Sequence, residues 1–244
     1  MWLSSVLTPT FWWVFVAQLG LAGLFLGLFQ YLATNPKWAG IRIRPLVKNR
    51  YSDRRRDINT SLNQLLSLLW FISFFLYFGS HVFYNSWWPG LTRMIGETLG
   101  VLLLYDFLYY WFHRLAHPPK MMRYMHGVHH WVRNPTAQES SYLNPLEPTI
   151  AVFILFFSVW LLGPISQLSW AVIFLVYSIC NLLVHSSLII PHPAFRWFNF
   201  MVRKHDEHHQ LFRVNFANLF PFWDQMFGTT EELIRKKQQA PQDR

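Results

Sequence analysis

"HGVHH", residues 126–130, has the form H-x-x-H-H, and the chain writes that form again as "HDEHH" at residues 205–209. A third group, "HRLAH" at residues 113–117, precedes both, so eight of the eleven histidines fall into three tight groups. Two copies of one pattern and a third cluster make coincidence a poor account. On a helix, residues three and four apart share a face. His113 and His117 then stack one turn apart, and in each H-x-x-H-H copy a helix would aim three imidazoles in one direction. Three helices present His113, His117, His126, His129, His130, His205, His208 and His209 to one cavity. One metal ion takes roughly four to six ligands, so eight imidazoles point to two ions, and imidazole suits iron, zinc, copper or nickel.

The surrounding chain belongs in a membrane. Of its 244 residues, 52% are hydrophobic and 19% aromatic, while 14% are charged, which exceeds the apolar content of an ordinary soluble domain. A spanning helix needs about 20 mainly apolar residues. Stretches 11–33, 62–84, 95–112, 149–168 and 169–190 qualify, which predicts an all-α, multi-pass transmembrane bundle of four or five spans with a histidine-rich helical cap. The third stretch carries Glu97 and Asp106, and the last two form either a pair of spans or a shallow hairpin around Gly163 and Pro164. No basic segment precedes the first stretch and no small-residue cleavage site follows it cleanly, so a retained helix is expected instead of a signal peptide. Cys180, the only cysteine, falls in the last stretch, so no disulfide framework is expected.

The formal charge of +9 follows from topology more simply than from nucleic-acid binding. Lys and Arg stay on the cytoplasmic side of a membrane. Lys37, Arg42, Arg44, Lys48, Arg50, Arg54, Arg55 and Arg56 fill the first connection, whereas residues 1–10 carry no charge. The N-terminus is therefore expected outside, with residues 113–148 and the chain from 191 onward on the cytoplasmic side. Every remaining Lys and Arg except Arg93 then lies there too, and so does every histidine group. The chain divides into residues 1–112, N-terminal helices and a basic loop, and residues 113–244, the histidine-box region with the hairpin 149–190 and a C-terminal cap.

In "NLLVH", Asn181 and His185 share a face at the cytoplasmic end of the last stretch. An ionisable residue at membrane depth is a functional candidate. His185 is expected as a further ligand, with Asn181 as a weaker direct or water-bridged one. His81 and His192 stand alone and read as ordinary histidines.

The ordered set "DFLYYWFHRLAH" (106–117), "HGVHH", "HDEHH" and "NFANLFPFWDQMFGT" (215–229) resembles the fatty acid hydroxylase and sterol desaturase superfamily of membrane non-haem di-iron oxygenases. Membrane acyl-CoA desaturases also carry three histidine boxes but separate the first two widely, whereas eight residues part His117 from His126 here. The resemblance makes the eight box histidines metal ligands, and His185 matches a further position of the family pattern. Asn181 stands where some acyl hydroxylases of the family have another histidine. Asp106 shares a stripe with Tyr110, His113 and His117. It is expected either to accept the second N–H of a ligating imidazole or to pair with Arg114 or Arg123. Asp224 also matches a family position, with a turn or capping role at least as expected as a catalytic one.

What the resemblance implies is two iron ions, which zinc can replace during purification, with O2 as co-substrate. Two external electrons would then drive hydroxylation or desaturation of a C–H bond in a fatty acyl chain, sterol or sphingolipid. Such a lipid enters from the bilayer of a bacterial inner membrane or endoplasmic reticulum. With no room in 244 residues for a fused cytochrome b5 domain, electrons are expected from a separate cytochrome b5 or ferredoxin. A basic face would attract an acidic donor. The rival is a membrane zinc protein without oxygenase activity, a carrier or scaffold. Zincin proteases need H-E-x-x-H, which is absent, and no Glu has His three residues on, as carboxylate di-iron sites require.

Overall fold

Several of the long helices begin where a side chain caps the first turn. In α1 (Pro9–Thr34), Thr8 Oγ1 accepts the Phe11 N–H and Pro9 opens the turn. Ser52 accepts from Arg55 in the same way at the head of α2 (Asp53–Val82). Helix α3 (Leu91–Ala116) follows Gly90, whose φ of +87° is a left-handed value that glycine adopts without a Cβ clash. Two short helices, α4 (Pro119–Met121) and α5 (Gly127–His130), lead to α6 (Leu146–Leu162). Helix α7 (Gln167–Val184) is capped by Ser166, and α8 (Arg196–Leu211) and α9 (Phe222–Met226) complete the chain. A computed structural model describes residues 7–47 and 51–234, and those residues are all-α, with isolated bridges as their only extended pairing.

Helix α3 packs against α6 and α7, α1 lies on α7, and α2 lies on α6. In lipid, van der Waals fit between helices holds such a bundle, because the tails offer no hydrophobic contrast. Aromatic rings supply that fit. Phe71 of α2 touches Phe15 of α1, Phe156 of α6, and Trp170 and Phe174 of α7, so one side chain joins four helices. Phe74 stacks flat on Phe156 at 4.0 Å. The outer face of α1 leaves Trp13, Val16, Leu24 and Leu28 exposed, as a lipid-facing helix should.

Among the described residues three helices, α1, α2 and α7, meet the length and hydropathy needed to cross a membrane, against the four or five expected. Helix α6 is apolar but shorter, at 17 residues. Helix α3 is long enough at 26 residues but carries Arg93, Glu97, Asp106 and Arg114. The last stretch also ends sooner than expected. Helix α7 stops at Val184, and residues 188–190 leave the helix to pair with residues 41–43, where Ile43 N–H donates to Ser187 O and Ile189 N–H to Ile41 O. His185 therefore sits at a helix end, where its backbone is free to turn toward the other histidines.

One end of the bundle carries everything else. Asn59 of α2 donates to Leu143 O, and Arg44 pairs with Asp206 of α8 at 2.7 Å, so the 113–145 and 185–229 segments fold together over the ends of α2, α3 and α7.

Candidate metal centre

Two histidines leave the last turn of α3, His113 within it and His117 at its C-cap. After Pro118 and Pro119 the chain makes a π-helical turn, Met122–His126, that runs into α5. Gly127 marks the junction. A Cβ there would lie 2.2 Å from the Met122 carbonyl oxygen, so only glycine lets the wider turn close and carry His126, His129 and His130 inward. The third box needs no such device, because His205, His208 and His209 all lie on one regular helix, α8.

The nine imidazoles form two groups. His113, His117, His126, His130 and His208 make one, and His129, His185, His205 and His209 the other, with the donor nitrogens in each group all within 4.8 Å of one another. Each H-x-x-H-H copy is thus divided, which differs from three rings aimed in one direction. At about 100° per residue, i+4 returns to within about 40° of i, whereas i+3 falls about 60° to its other side. The i, i+4 pair serves one group and the i+3 ring the other: His126 and His130 against His129, and His205 and His209 against His208.

Hydrogen bonds decide which nitrogen faces inward. Nδ1 of His113 lies 2.8 Å from Phe216 O, Nδ1 of His208 2.6 Å from Val214 O, and Nδ1 of His209 2.9 Å from Val132 O. His185 Nδ1 lies 2.7 Å from Asn181 O, and His126 Nδ1 2.5 Å from Glu147 Oε2. All five partners are acceptors, so each Nδ1 carries the proton and each Nε2 is left a bare lone pair. Those Nε2 atoms face other imidazole nitrogens: His126 to His130 at 3.0 Å, His208 to His130 at 3.2 Å, His185 to His205 at 2.9 Å and His209 to His205 at 3.1 Å. A single N–H on His130 or His205 satisfies one neighbour and leaves the other opposed. Nε2 of His113 and of His117 are buried with no partner at all. Converging lone pairs of this kind call for cations, and the donor set fits two metal ions bound by neutral imidazole.

Burial enforces the neutral form. Eight of the nine rings are buried, His208 and His209 fully so, and His117 is half-buried. Loss of water pushes the imidazoles of His129, His130, His205, His208 and His209 well below the usual histidine range, helped by their like-charged neighbours. His117 is lowered to about 3, for the same first reason.

The remaining sequence candidates hold the frame. Asp106 pairs with neither Arg114 nor Arg123. Its Oδ1 accepts the N–H groups of Asn218 and Leu219, and its Oδ2 that of Phe220. Asp224 accepts from Phe216 N, Ala217 N, Thr229 Oγ1 and Lys204 Nζ. Together they fix the loop whose carbonyls orient His113 and His208, so both carboxylates act on the rings through the backbone. Asn181 orients His185 through its main-chain oxygen, and the residue lines a cavity that the histidines also line. His81 and His192 are exposed and away from both groups, His192 capping the Ala194 N–H.

Sequence reasoning missed Glu147. It opens α6 in "NPLEPT", 5% exposed, and its only visible signal is a carboxylate at the mouth of an apolar stretch. The backbone acceptors Val132, Val214 and Phe216 left no signal, because carbonyl placement is not written in residue type.

A cavity of about 520 Å³ reaches the histidines from the bundle side. Leu19, Leu26, Leu68, Phe71 and Phe174 form its apolar walls, and His113, His126, His129, His185 and His205 its floor. This is the size and character of a small-molecule site.

The fatty acid hydroxylase profile matches residues 98–229, a segment that contains all nine imidazoles and both framing carboxylates. The chain belongs to the fatty acid hydroxylase family. It is 31% identical over 160 residues to methylsterol monooxygenase 1 of Gallus gallus, covering 62% of this chain and 52% of that protein. The rat (Rattus norvegicus) methylsterol monooxygenase 1 is 33% identical over 147 residues, 58% of this chain and 50% of that one. Human (Homo sapiens) cholesterol 25-hydroxylase is 32% identical over 149 residues, 58% and 53% respectively. The matched part spans about half the length of these relatives. No solved structure matches.

Two outcomes test the centre. Gly127→Ala should push the turn apart and cost at least about tenfold in metal affinity while the bundle stays folded, measured by metal titration beside circular dichroism; wild-type affinity would contradict the reading of the turn. The depressed imidazoles also set a pH dependence. Each titrates near 6.5 in the unfolded chain and far lower when folded, so protons favour unfolding below that pH and stability present above it is lost as pH falls. The metal-free protein should hold its unfolding temperature from about pH 8 to pH 7 and lose it progressively below about 6.5, read by thermal unfolding in detergent.

Proposed function

We propose that the chain is a membrane di-iron oxygenase that uses O2 and two external electrons to hydroxylate or desaturate a C–H bond of a lipid. The observation that carries this reading is the convergence of nine neutral imidazoles in two groups on the floor of an apolar cavity within the bundle. His113, His117, His126, His130 and His208 hold one iron; His129, His185, His205 and His209 hold the other. When bound, such a pair supplies the reductive activation of dioxygen that an unactivated C–H bond requires.

The chain's own residues do the rest. Glu147 and the carbonyls of Asn181, Val132, Val214 and Phe216 keep five Nδ1 atoms protonated and so hold five Nε2 atoms as ligands. The aromatic and aliphatic walls admit a hydrocarbon segment and exclude water from the reacting carbon. A substrate reaches the cavity between helices, in keeping with the lipid-modifying names of the relatives. The basic loops support a cytoplasmic centre in an inner or endoplasmic reticulum membrane, with residues 113–244 as the catalytic part. A zinc carrier or scaffold gains nothing from an apolar cavity ending on the histidines, so that reading ranks second.

The test is metal analysis of anaerobically purified protein, then a single turnover of co-purified lipid under labelled dioxygen. Two irons per chain and label in an alcohol, or a new double bond with label in water only, are expected. His129→Ala and His208→Ala should each lose metal and at least about a hundredfold in turnover with membrane insertion intact. Retained turnover in both variants would refute the assignment.

A further inference from the structure

A second cavity meets the histidines from the opposite character of surface. It has a volume of about 540 Å³ and is lined by Arg114, His117, Phe212, Arg213, Phe216 and Phe227, with no acidic residue in its lining. The two cavities share no histidine. The apolar one is floored by His113, His126, His129, His185 and His205, whereas the cationic one meets His117 alone, the single imidazole of the nine that is not buried.

The walls of this cavity connect directly to the centre. The Phe216 ring lies edge-on to His117 at 5.0 Å and contacts His208 at 5.6 Å, and the Phe212 ring lies 4.7 Å from His130. Phe212 takes a left-handed backbone, φ +62°, where an aromatic residue is uncommon and strained. That conformation ends α8 and brings the ring between the cavity and the imidazoles. His117 itself lies 4.6 Å from His126, 4.9 Å from His130 and 4.8 Å from His208, centroid to centroid.

On the rim, Arg213 is exposed and has no ion pair among the described residues, and the exposed Lys120 follows directly on Pro118 and Pro119 of the lining. Glu231 and Glu232 lie in the short helical segment 231–234 beyond Thr229, so the rim is mixed while the lining is cationic.

We propose that this cavity is where an acidic one-electron carrier protein docks and that electrons enter the centre at the His117 edge. The claim rests on the oxygenase reading and names the face that reading leaves open. Electron transfer weakens steeply with distance, so a carrier must approach the one imidazole that nears the surface. It must also avoid the cavity that the lipid fills. A cationic lining with an unpaired arginine meets an acidic surface by charge complementarity. Two successive dockings each leave one electron and release an oxidised carrier. With two protons and one O2 they convert one C–H to C–OH and one water, so the turnover balances.

The experiment uses the full-length, metal-loaded protein in detergent and the reduced soluble domain of cytochrome b5 as the acidic probe. The second-order rate of its oxidation by the protein is followed by stopped flow, beside reduction of the same protein by dithionite. Arg213→Glu should lower the carrier rate at least tenfold at low salt, with metal content and the dithionite rate unchanged, and added salt should narrow the gap. Arg54→Glu, an exposed arginine in the first turn of α2 that does not line the cavity, should leave both rates unchanged. An unchanged carrier rate in Arg213→Glu, or a loss produced by Arg54→Glu instead, overturns the docking site. An equal loss with dithionite also overturns it, since the residue would then matter to the fold alone. A wild-type centre that neither reductant reduces sinks the oxygenase reading, and the docking site with it.

Discussion

Facing lone pairs are the constraint on which the rest of the structure depends. Five Nδ1–H groups are claimed by oxygen acceptors, so five Nε2 atoms have nothing to donate; four of them face other imidazole nitrogens and the fifth, on His113, is buried without a partner. In a buried site an unsatisfied polar atom costs about 1–3 kcal/mol. Protonating the rings to relieve it is opposed by burial and by the neighbours' charge. A divalent cation in each group removes both penalties at once, because a metal accepts several lone pairs where a proton accepts one. The site is thus pre-organised for metal and ill-suited to remaining without it, and its architecture supports that state at each level. Asp106 and Asp224 brace the loop, the loop carbonyls orient the rings, and the rings fill the gap between α3, α5 and α8.

The division of each H-x-x-H-H copy explains why two copies are needed. One helix turn cannot surround an ion, since its rings reach only from one side. Splitting each copy lets the π-helical turn and α5 together give two imidazoles to the first group and one to the second, while α8 gives one to the first and two to the second. The two groups are therefore built from the same pair of segments in opposite proportions. Neither segment can shift without disturbing both groups, and His113, His117 and His185 complete the sets from the ends of α3 and α7. This coupling accounts for the narrow tolerance at Gly127, where one methyl group would meet the backbone of the preceding turn.

How much of this was legible follows from what residue type encodes. Histidine spacing is a statement about angular position, so the three boxes and their convergence could be read, and His185 followed from its depth in the last apolar stretch. The split between groups lies in the same spacing, in the 100° or so between i+3 and i+4, but helix-face reasoning treats those positions as equivalent. Asp106 was legible as a buried carboxylate on the right stripe. Its partners were not, because they are backbone amides of a loop 112 to 114 residues away. Glu147 escaped because its contact with His126 arises from tertiary packing of α6 against the π-helical turn. Hydropathy located the bundle but not its boundaries: the exit of residues 188–190 from the last stretch depends on pairing with residues 41–43, which no local pattern announces.

Access completes the logic of the fold. The proposed oxygenase would need a dry approach for a lipid and a polar approach for an electron carrier, and these demands conflict on a single surface. Here two cavities meet different histidines of the cluster. The bundle side is lined by Leu19, Leu26, Phe71 and Phe174 and opens among lipid-facing helices. The second cavity is lined by Arg114 and Arg213 and meets the histidine cluster at His117, beside Phe212 and Phe216. Because α3 supplies His113 to the floor of the first cavity and His117 to the second, one turn of one helix carries the boundary between them. The i, i+4 spacing in "HRLAH" therefore does more than pair two imidazoles. It places one imidazole on the floor of the apolar cavity and the next in the lining of the cationic one, where the rings of Phe212 and Phe216 pack against His130 and His117.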